Sequence, residues 1–170
     1  MIHVKIFTAN HVIRGLLNTS GERLTDVLNN GTKSSVILKE AEVARLLWLE
    51  KAPPSKLDNV SVTKADILLA MPVEQDRTEK SIFRKTTRQL FLITLLVQNF
   101  EVMGRIHMTE RTNIDRILLV RAEDFIPLTD ARATYMPVPK INFSSEMIIF
   151  NKAKVSLLGE NFPVPPAASK

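Results

Sequence analysis

Across 170 residues the chain carries 23 Lys and Arg against 18 Asp and Glu, a formal charge of +5, with 45% apolar and 24% charged residues. That balance excludes disordered, collagen-like and disulfide-stapled classes, and the lack of cysteine excludes thiolate metal sites, redox thiols and structural disulfides. The longest apolar runs, 90–97 and 147–150, fall short of the roughly 20 residues of a membrane helix, and the opening Met1-Ile2-His3-Val4-Lys5 has no basic leader, so a cytoplasmic protein without a membrane span is expected.

The chain opens on a β-rich segment, Val4 to Thr8, and then alternates with Ile13, Gly15 and Leu17 on one face, the pattern of a half-buried strand. Asn10 between them tolerates the left-handed backbone of a tight turn, so a β-hairpin is expected, and Gly15 inside its second strand marks a bulge or sharp bend. Thr19 and Glu22 have capping-box spacing ahead of Leu24, Val27 and Leu28, which predicts a short helical turn ended by Asn29-Asn30-Gly31. Residues 35–43, and 125–133 further on, read as a third strand whose apolar phase changes near Glu40 and Asp130, as at a bend, and 60–62 with 66–71 as a fourth and fifth.

The same landmarks return further on. Ile6, Asn10, Ile13, Gly15 and Leu17 match Leu95, Asn99, Val102, Gly104 and Ile106, each pair 89 positions apart. Leu24, Leu28, Leu38, Glu40 and Ala41 match Ile114, Leu118, Leu128, Asp130 and Ala131 at 90, and Val60, Val62, Ile67 and Leu68 match Ile141, Phe143, Ile148 and Ile149 at 81. A tandem duplication follows, with a fold class that is mainly β: two five-stranded units, each with a short helical turn. Residues 1–72 form the first unit, 73–89 a charged linker with helical potential, 90–160 the second unit, and 161–170 a Pro-rich disordered tail. In the second unit, 141–143 and 147–150 are the expected fourth and fifth strands, and 153–158 an extra strand without a counterpart after Pro72.

A five-strand unit that opens on a hairpin, has a Gly late in strand two and closes on a Val-x-Val-x-x-x-x-Ile strand pair resembles the Sm-like small barrel, here twice in one chain. The phrases 15–28 and Phe125-Ile126-Pro127-Leu128-Thr129-Asp130-Ala131 also resemble a bacterial domain family to which no activity is attached. The Sm-like resemblance implies ring-like pairing of strand edges. It implies RNA binding only where an Asp stands about six residues past the strand-two Gly and an Arg-Gly or Lys-Gly pair sits in the strand-four turn. Here those places hold Gly21 and Glu110, and Lys64-Ala65 and Ser145-Glu146, so the fold carries over without the RNA pocket.

Other motifs are thinner. Arg84, Arg88, Asn99 and Gly104 echo the PilZ dinucleotide receptors, but Glu101 stands where those have Ser, and Asn10 with Gly15 repeats the Asn and Gly without an RxxxR. Arg77, Lys80, Arg84, Lys85 and Arg88 form a basic cluster that could neutralise phosphates, although Phe83 is the lone aromatic within it and base-stacking platforms need several. His3, His11 and His107 are scattered, the carboxylate pairs Glu40/Glu42 and Glu123/Asp124 lie in or beside strand three facing solvent, and no nucleophile or phosphate-loop motif occurs. The expectation is therefore a non-catalytic interaction or scaffold module with no cofactor or metal. Its expected partner is another protein or itself, as a dimer or small ring built through open strand edges. The alternative is a nucleic-acid-binding protein that uses the basic linker.

Overall fold

A computed structural model describes residues 1–73, 89–108, 116, 118, 119 and 121–160. The basic cluster Arg77, Lys80, Arg84, Lys85 and Arg88, almost all of the expected linker and the Pro-rich tail lie outside the described residues. Among the described residues the strands are β1 (Ile2–Phe7), β2 (His11–Leu17), β3 (Ser35–Arg45), β4 (Ser55–Thr63), β5 (Leu69–Pro72), β6 (Gln89–Val97), β7 (Phe100–Met108), β8 (Phe125–Tyr135), β9 (Asn142–Asn151) and β10 (Val155–Glu160), with one α-helix, α1 (Leu24–Asn29). All pair antiparallel in one open sheet of order β10-β6-β7-β8-β9-β5-β1-β2-β3-β4. The mainly β expectation holds; two separate sheets do not occur, because β5 pairs with β9 as well as with β1.

That junction explains where alternation fails in the sequence. The sheet encloses two cores. One holds Ile93, Leu95, Val97, Phe100, Val102, Ile148 and Phe150 together with Phe7, Leu69 and Met71 from the first half. The other holds Val4, Ile6, Ile13, Leu17, Leu24, Leu28, Leu38 and Ala70 together with Phe125 and Ile149 from the second. Residues 67–71 and 148–150 are therefore buried on both faces, and a strand with two dry faces reads as a continuous apolar run. Phe7 stands edge-on to Phe100 at 5.7 Å between centroids and tilted on Phe143 at 4.7 Å, while Phe100 meets Tyr135 at 5.3 Å. Such offset ring pairs add to the apolar burial that holds the halves together.

Several strand assignments need correction. Segments 141–143 and 147–150 are not two strands: β9 runs unbroken from 142 to 151, alternating over 142–147 and fully buried over 148–151 where it passes beside β5, and Ile141 lies just before it. The change of pattern marks a change of neighbour, not a turn. The segment 153–158 is not an extra strand either, since β10 lies against β6 as β5 lies against β1. Its likeness to β5 was hidden by Ser156 and Gly159, polar or small where β5 and its approach have buried Leu68 and Met71. β4 is longer than the 60–62 expected, because an edge strand with nearly every residue exposed shows no apolar alternation.

The hairpin turns also differ from expectation. Asn10 and Asn99 are not left-handed; Gln98 takes that conformation, with φ 50°. The asparagine carbonyls instead accept backbone bonds from Leu46 and Met136, both at 2.8 Å, and so tie each hairpin to the end of the third strand of its half. α1 begins at Leu24 after Arg23 with no side-chain cap, and Thr19 acts through its carbonyl, which accepts from the Glu22 amide at 2.9 Å, rather than through a capping box.

Gly15 and Gly104 sit where the ladder slips. Between Arg14 and Leu16 on β2, and between Met103 and Arg105 on β7, one glycine faces two residues of the next strand, Glu40 with Ala41 and Asp130 with Ala131. Glu40 and Asp130 hold positive φ, 49° and 48°, the left-handed first position of a β-bulge. A Cβ on Gly15 would lie 2.9 Å from the Lys39 carbonyl oxygen, and one on Gly104 would lie 2.8 Å from the Ala131 Cβ. The bulged strand can fold inward over the core only because these two positions lack a side chain.

Candidate functional site

Four features of the surface bear on function: two free strand edges, the junction that shows how such edges pair, a recess between the hairpin turns, and a cationic face on the first half. Among the described residues the edges are β4 and β10, each hydrogen-bonded to a strand on one side. Unpaired backbone amides and carbonyls along an edge are a template for another strand unless they are blunted. β4 carries Lys56 and Asp58, β10 is short with a register shift between Val155 and Leu157, and each exposes one large apolar side chain, Leu57 at 48% and Leu157 at 49%.

At the junction, Leu69 pairs with Phe150 and Ala70 with Ile149. Two asparagines secure it. Asn151, buried, donates from its backbone amide to the Leu68 carbonyl at 3.0 Å and from Nδ2 to the Ile67 carbonyl at 2.9 Å, while its Oδ1 accepts from the Ala153 amide at 3.0 Å. Asn29, at the end of α1, uses its amide as a substitute peptide: Nδ2 donates to the Phe125 carbonyl at 2.8 Å and Oδ1 accepts from the Phe125 amide at 2.9 Å. From the sequence, Asn29 reads only as a helix terminator; its partner lies 96 positions away and no local signal announces it.

Two lysines do matching work in the short 3-10 turns Lys64–Asp66 and Lys152–Lys154, which lead into β5 and β10. The Lys64 amide donates to the Ser34 carbonyl at 2.8 Å, and its Nζ donates to the Val27 and Asn30 carbonyls at 2.9 and 2.7 Å, satisfying groups that the end of α1 leaves open. The Lys152 amide donates to the Asp124 carbonyl and its Nζ to the Arg121 carbonyl, both at 2.7 Å. Burial, then the nearby charge of Lys33, holds the Lys64 ammonium below lysine's usual range.

The recess, of about 320 Å³, is lined by Thr8, Asn10, His11 and Asp66 from the first half and by Gln98 and Lys154 from the second. It is open to solvent, and no group of three or more His, Asp or Glu suited to a metal ion occurs among the described residues. Elsewhere His107 Nε2 lies 2.9 Å from Thr129 Oγ1, and Arg105 pairs with Asp130 at 2.9 Å beside it. Glu40, Glu123 and Asp124 are exposed, and Glu42 pairs with Lys56 at 3.8 Å. No helix among the described residues is long and apolar enough to cross a membrane.

The cationic face lies on the outer side of the first half. Lys5 stands directly across from Arg14, and Leu16, next on that face, stands across from Lys39. None of the sequence motifs pointed to this cluster, because it exists only once the register of three strands is known. No family model, curated protein or solved structure matches the chain.

Proposed function

We propose that the protein is a non-catalytic scaffold module that assembles through its free strand edges, built from two tandem Sm-like five-stranded units and working in the cytoplasm. The observation that carries this reading is the junction itself. The first half has the order β5-β1-β2-β3-β4 and the second β10-β6-β7-β8-β9, and the fourth strand of the second half is joined to the fifth of the first. The edges left over are the fourth strand of the first half and the fifth of the second, the same pair of strand types. Moving the junction 88 positions along the chain sets Leu157 of one copy across from Val62 of the next, and Leu158 across from Ser61. A heterologous contact of this kind repeats head to tail and closes into a ring when the rotation allows.

The second contact is weaker than the internal one. Exposed Met136 and Leu157 stand where the junction has buried Leu46 and Leu69, but Glu101 and Ser156 replace buried Val12 and Leu68. Assembly is therefore concentration-dependent. Light scattering across the micromolar range should give a mass above 19.2 kDa that falls in the variants Leu57→Lys and Leu157→Lys, whose side chains are exposed in the single chain. A monodisperse 19.2 kDa species at every concentration would overturn the proposal.

A further inference from the structure

The strands of the first half set two cations against each other with nothing between them. Lys5 on β1 and Arg14 on β2 are direct cross-strand partners, a geometry that brings Cβ atoms to roughly 5 Å and makes like charges repel. Lys39 joins them from β3, one row along. The bulge at Glu40 and Ala41 is what allows this, because its extra residue keeps Lys39 and Glu42 on one face although they are three apart in sequence. Among the described residues no carboxylate oxygen comes within 4 Å of the Lys5, Arg14 or Lys39 cations; Glu42 is the cross-strand neighbour of Arg14 and lies 3.8 Å from the exposed Lys56. Lys5 is half-buried, and burial followed by the charge of Arg14 pulls its ammonium below the usual range.

The fold does not require this arrangement. The corresponding places on β6, β7 and β8 hold Thr94, Met103 and Thr129, with Thr94 across from Met103 and Thr129 across from Arg105, and carry no cation pair. Glu42 lies beside Arg14 alone, so half-buried Lys5, where the second half has Thr94, faces a cation on β2 and Met71 on β5 with no carboxylate across from it.

We infer that the outer face of β1, β2 and β3 is an anion site for a small phosphorylated ligand, with one phosphoryl group held between Lys5 and Arg14 and a second reached by Lys39. Arg14 offers a planar fork to two oxygens, and Lys5 a compact charge from below. Lys5 and Lys39 stand two strand spacings and one row apart, roughly 12 Å between Cβ atoms, a gap that their long side chains can close on a diphosphate from either side of Arg14. The site is separate from the free edges, so it stands or falls independently of assembly.

The test is thermal unfolding of the full chain in about 5 mM inorganic pyrophosphate against sodium chloride of equal ionic strength, which screens repulsion without bridging the pair. Pyrophosphate is expected to raise the parent's melting temperature by roughly 2–6 °C beyond the chloride control. The double variant Lys5→Gln, Arg14→Gln should lose that rise while melting at or above the parent without ligand, since it no longer holds two like charges together. Arg14→Gln alone, changed at an exposed side chain, should move the same way, and Lys33→Gln with Lys51→Gln, which removes equal charge elsewhere, should keep the full response. A parent that responds equally to pyrophosphate and chloride overturns the site, as does a double variant that keeps the response. Binding of a labelled RNA of about 20 nucleotides that pyrophosphate does not displace, and that needs Lys5 and Arg14, would overturn the assignment to a small ligand.

Discussion

Adding one methyl group at Gly104 tests how the sheet curls. The new Cβ would lie 2.8 Å from the Ala131 Cβ, 3.0 Å from the Leu128 Cβ and 3.3 Å from the Ala131 Cα. Carbon atoms in contact prefer about 3.5–4.0 Å, so β7 and β8 must part by roughly half an ångström or more at the bulge, where neither stem can swing aside. Overpacking of this kind costs about 1–3 kcal/mol, and Gly→Ala returns about 0.4–1 kcal/mol by restricting the unfolded chain. The net loss for Gly104→Ala is therefore about 1–2 kcal/mol, which for a chain of this size lowers the melting temperature by roughly 2–8 °C. Urea denaturation followed by far-ultraviolet circular dichroism measures it. Gly159→Ala is the control, because the nearest atom to its Cβ is the Thr94 carbonyl oxygen at 3.9 Å. The pair Gly104→Ala, Ala131→Gly removes the closest contact, so a double-mutant cycle should show favourable coupling. At Gly15 the closest atom is a backbone oxygen that no substitution removes. If Gly104→Ala and Gly15→Ala both melt like the parent, close approach at the bulge does not set the bend.

Glu40→Gly should leave stability unchanged or raise it by up to about 1 kcal/mol in urea titrations, because a left-handed glutamate costs about 1–2 kcal/mol and glycine adopts that backbone freely, at some cost in unfolded-state entropy. Asn29→Asp should destabilise by about 1–3 kcal/mol at neutral pH, since a carboxylate cannot donate to the Phe125 carbonyl; the loss should shrink in melts near pH 3, where the protonated acid donates again. Lys64 binds its proton more weakly folded than unfolded, so between its folded pKa and lysine's ordinary 10.5 the unfolded state holds more protons and stability rises with pH. The advantage of the parent over Lys64→Met should accordingly grow as pH climbs from 8 toward 10.5, and a flat difference across that range would remove Lys64 as the source.

What was legible in the sequence follows from which strands have one wet face. β2 and β7 pack one side on a core and leave the other to solvent, so Ile13, Gly15 and Leu17, and Val102, Gly104 and Ile106, stand out as alternating sets. The reversal of phase at Glu40 and Asp130 was equally visible, because a bulge displaces every later side chain by one. β5 and the end of β9 are dry on both sides and β4 is wet on nearly all, so period two vanishes from each for opposite reasons. Contacts made through register alone left no trace in composition or spacing, which hid the Asn29 clamp on Phe125, the Asn151 clamp on Ile67 and Leu68, and the pairing of Lys5 with Arg14.

The shared strands at the centre of the sheet have a consequence for how the molecule comes apart. Phe7, Leu69 and Met71 belong by sequence to the first half but lie in the core of the second, while Phe125 and Ile149 make the reverse exchange. Neither half cut from the other would keep a closed interior, since each would open the other's contribution to water. Unfolding is thus a single event spread over both, with no refuge in one half when the other is lost. Bringing β5 to β9 across some 80 positions must precede the completion of either core, so formation of the native state waits on its most distant pairing.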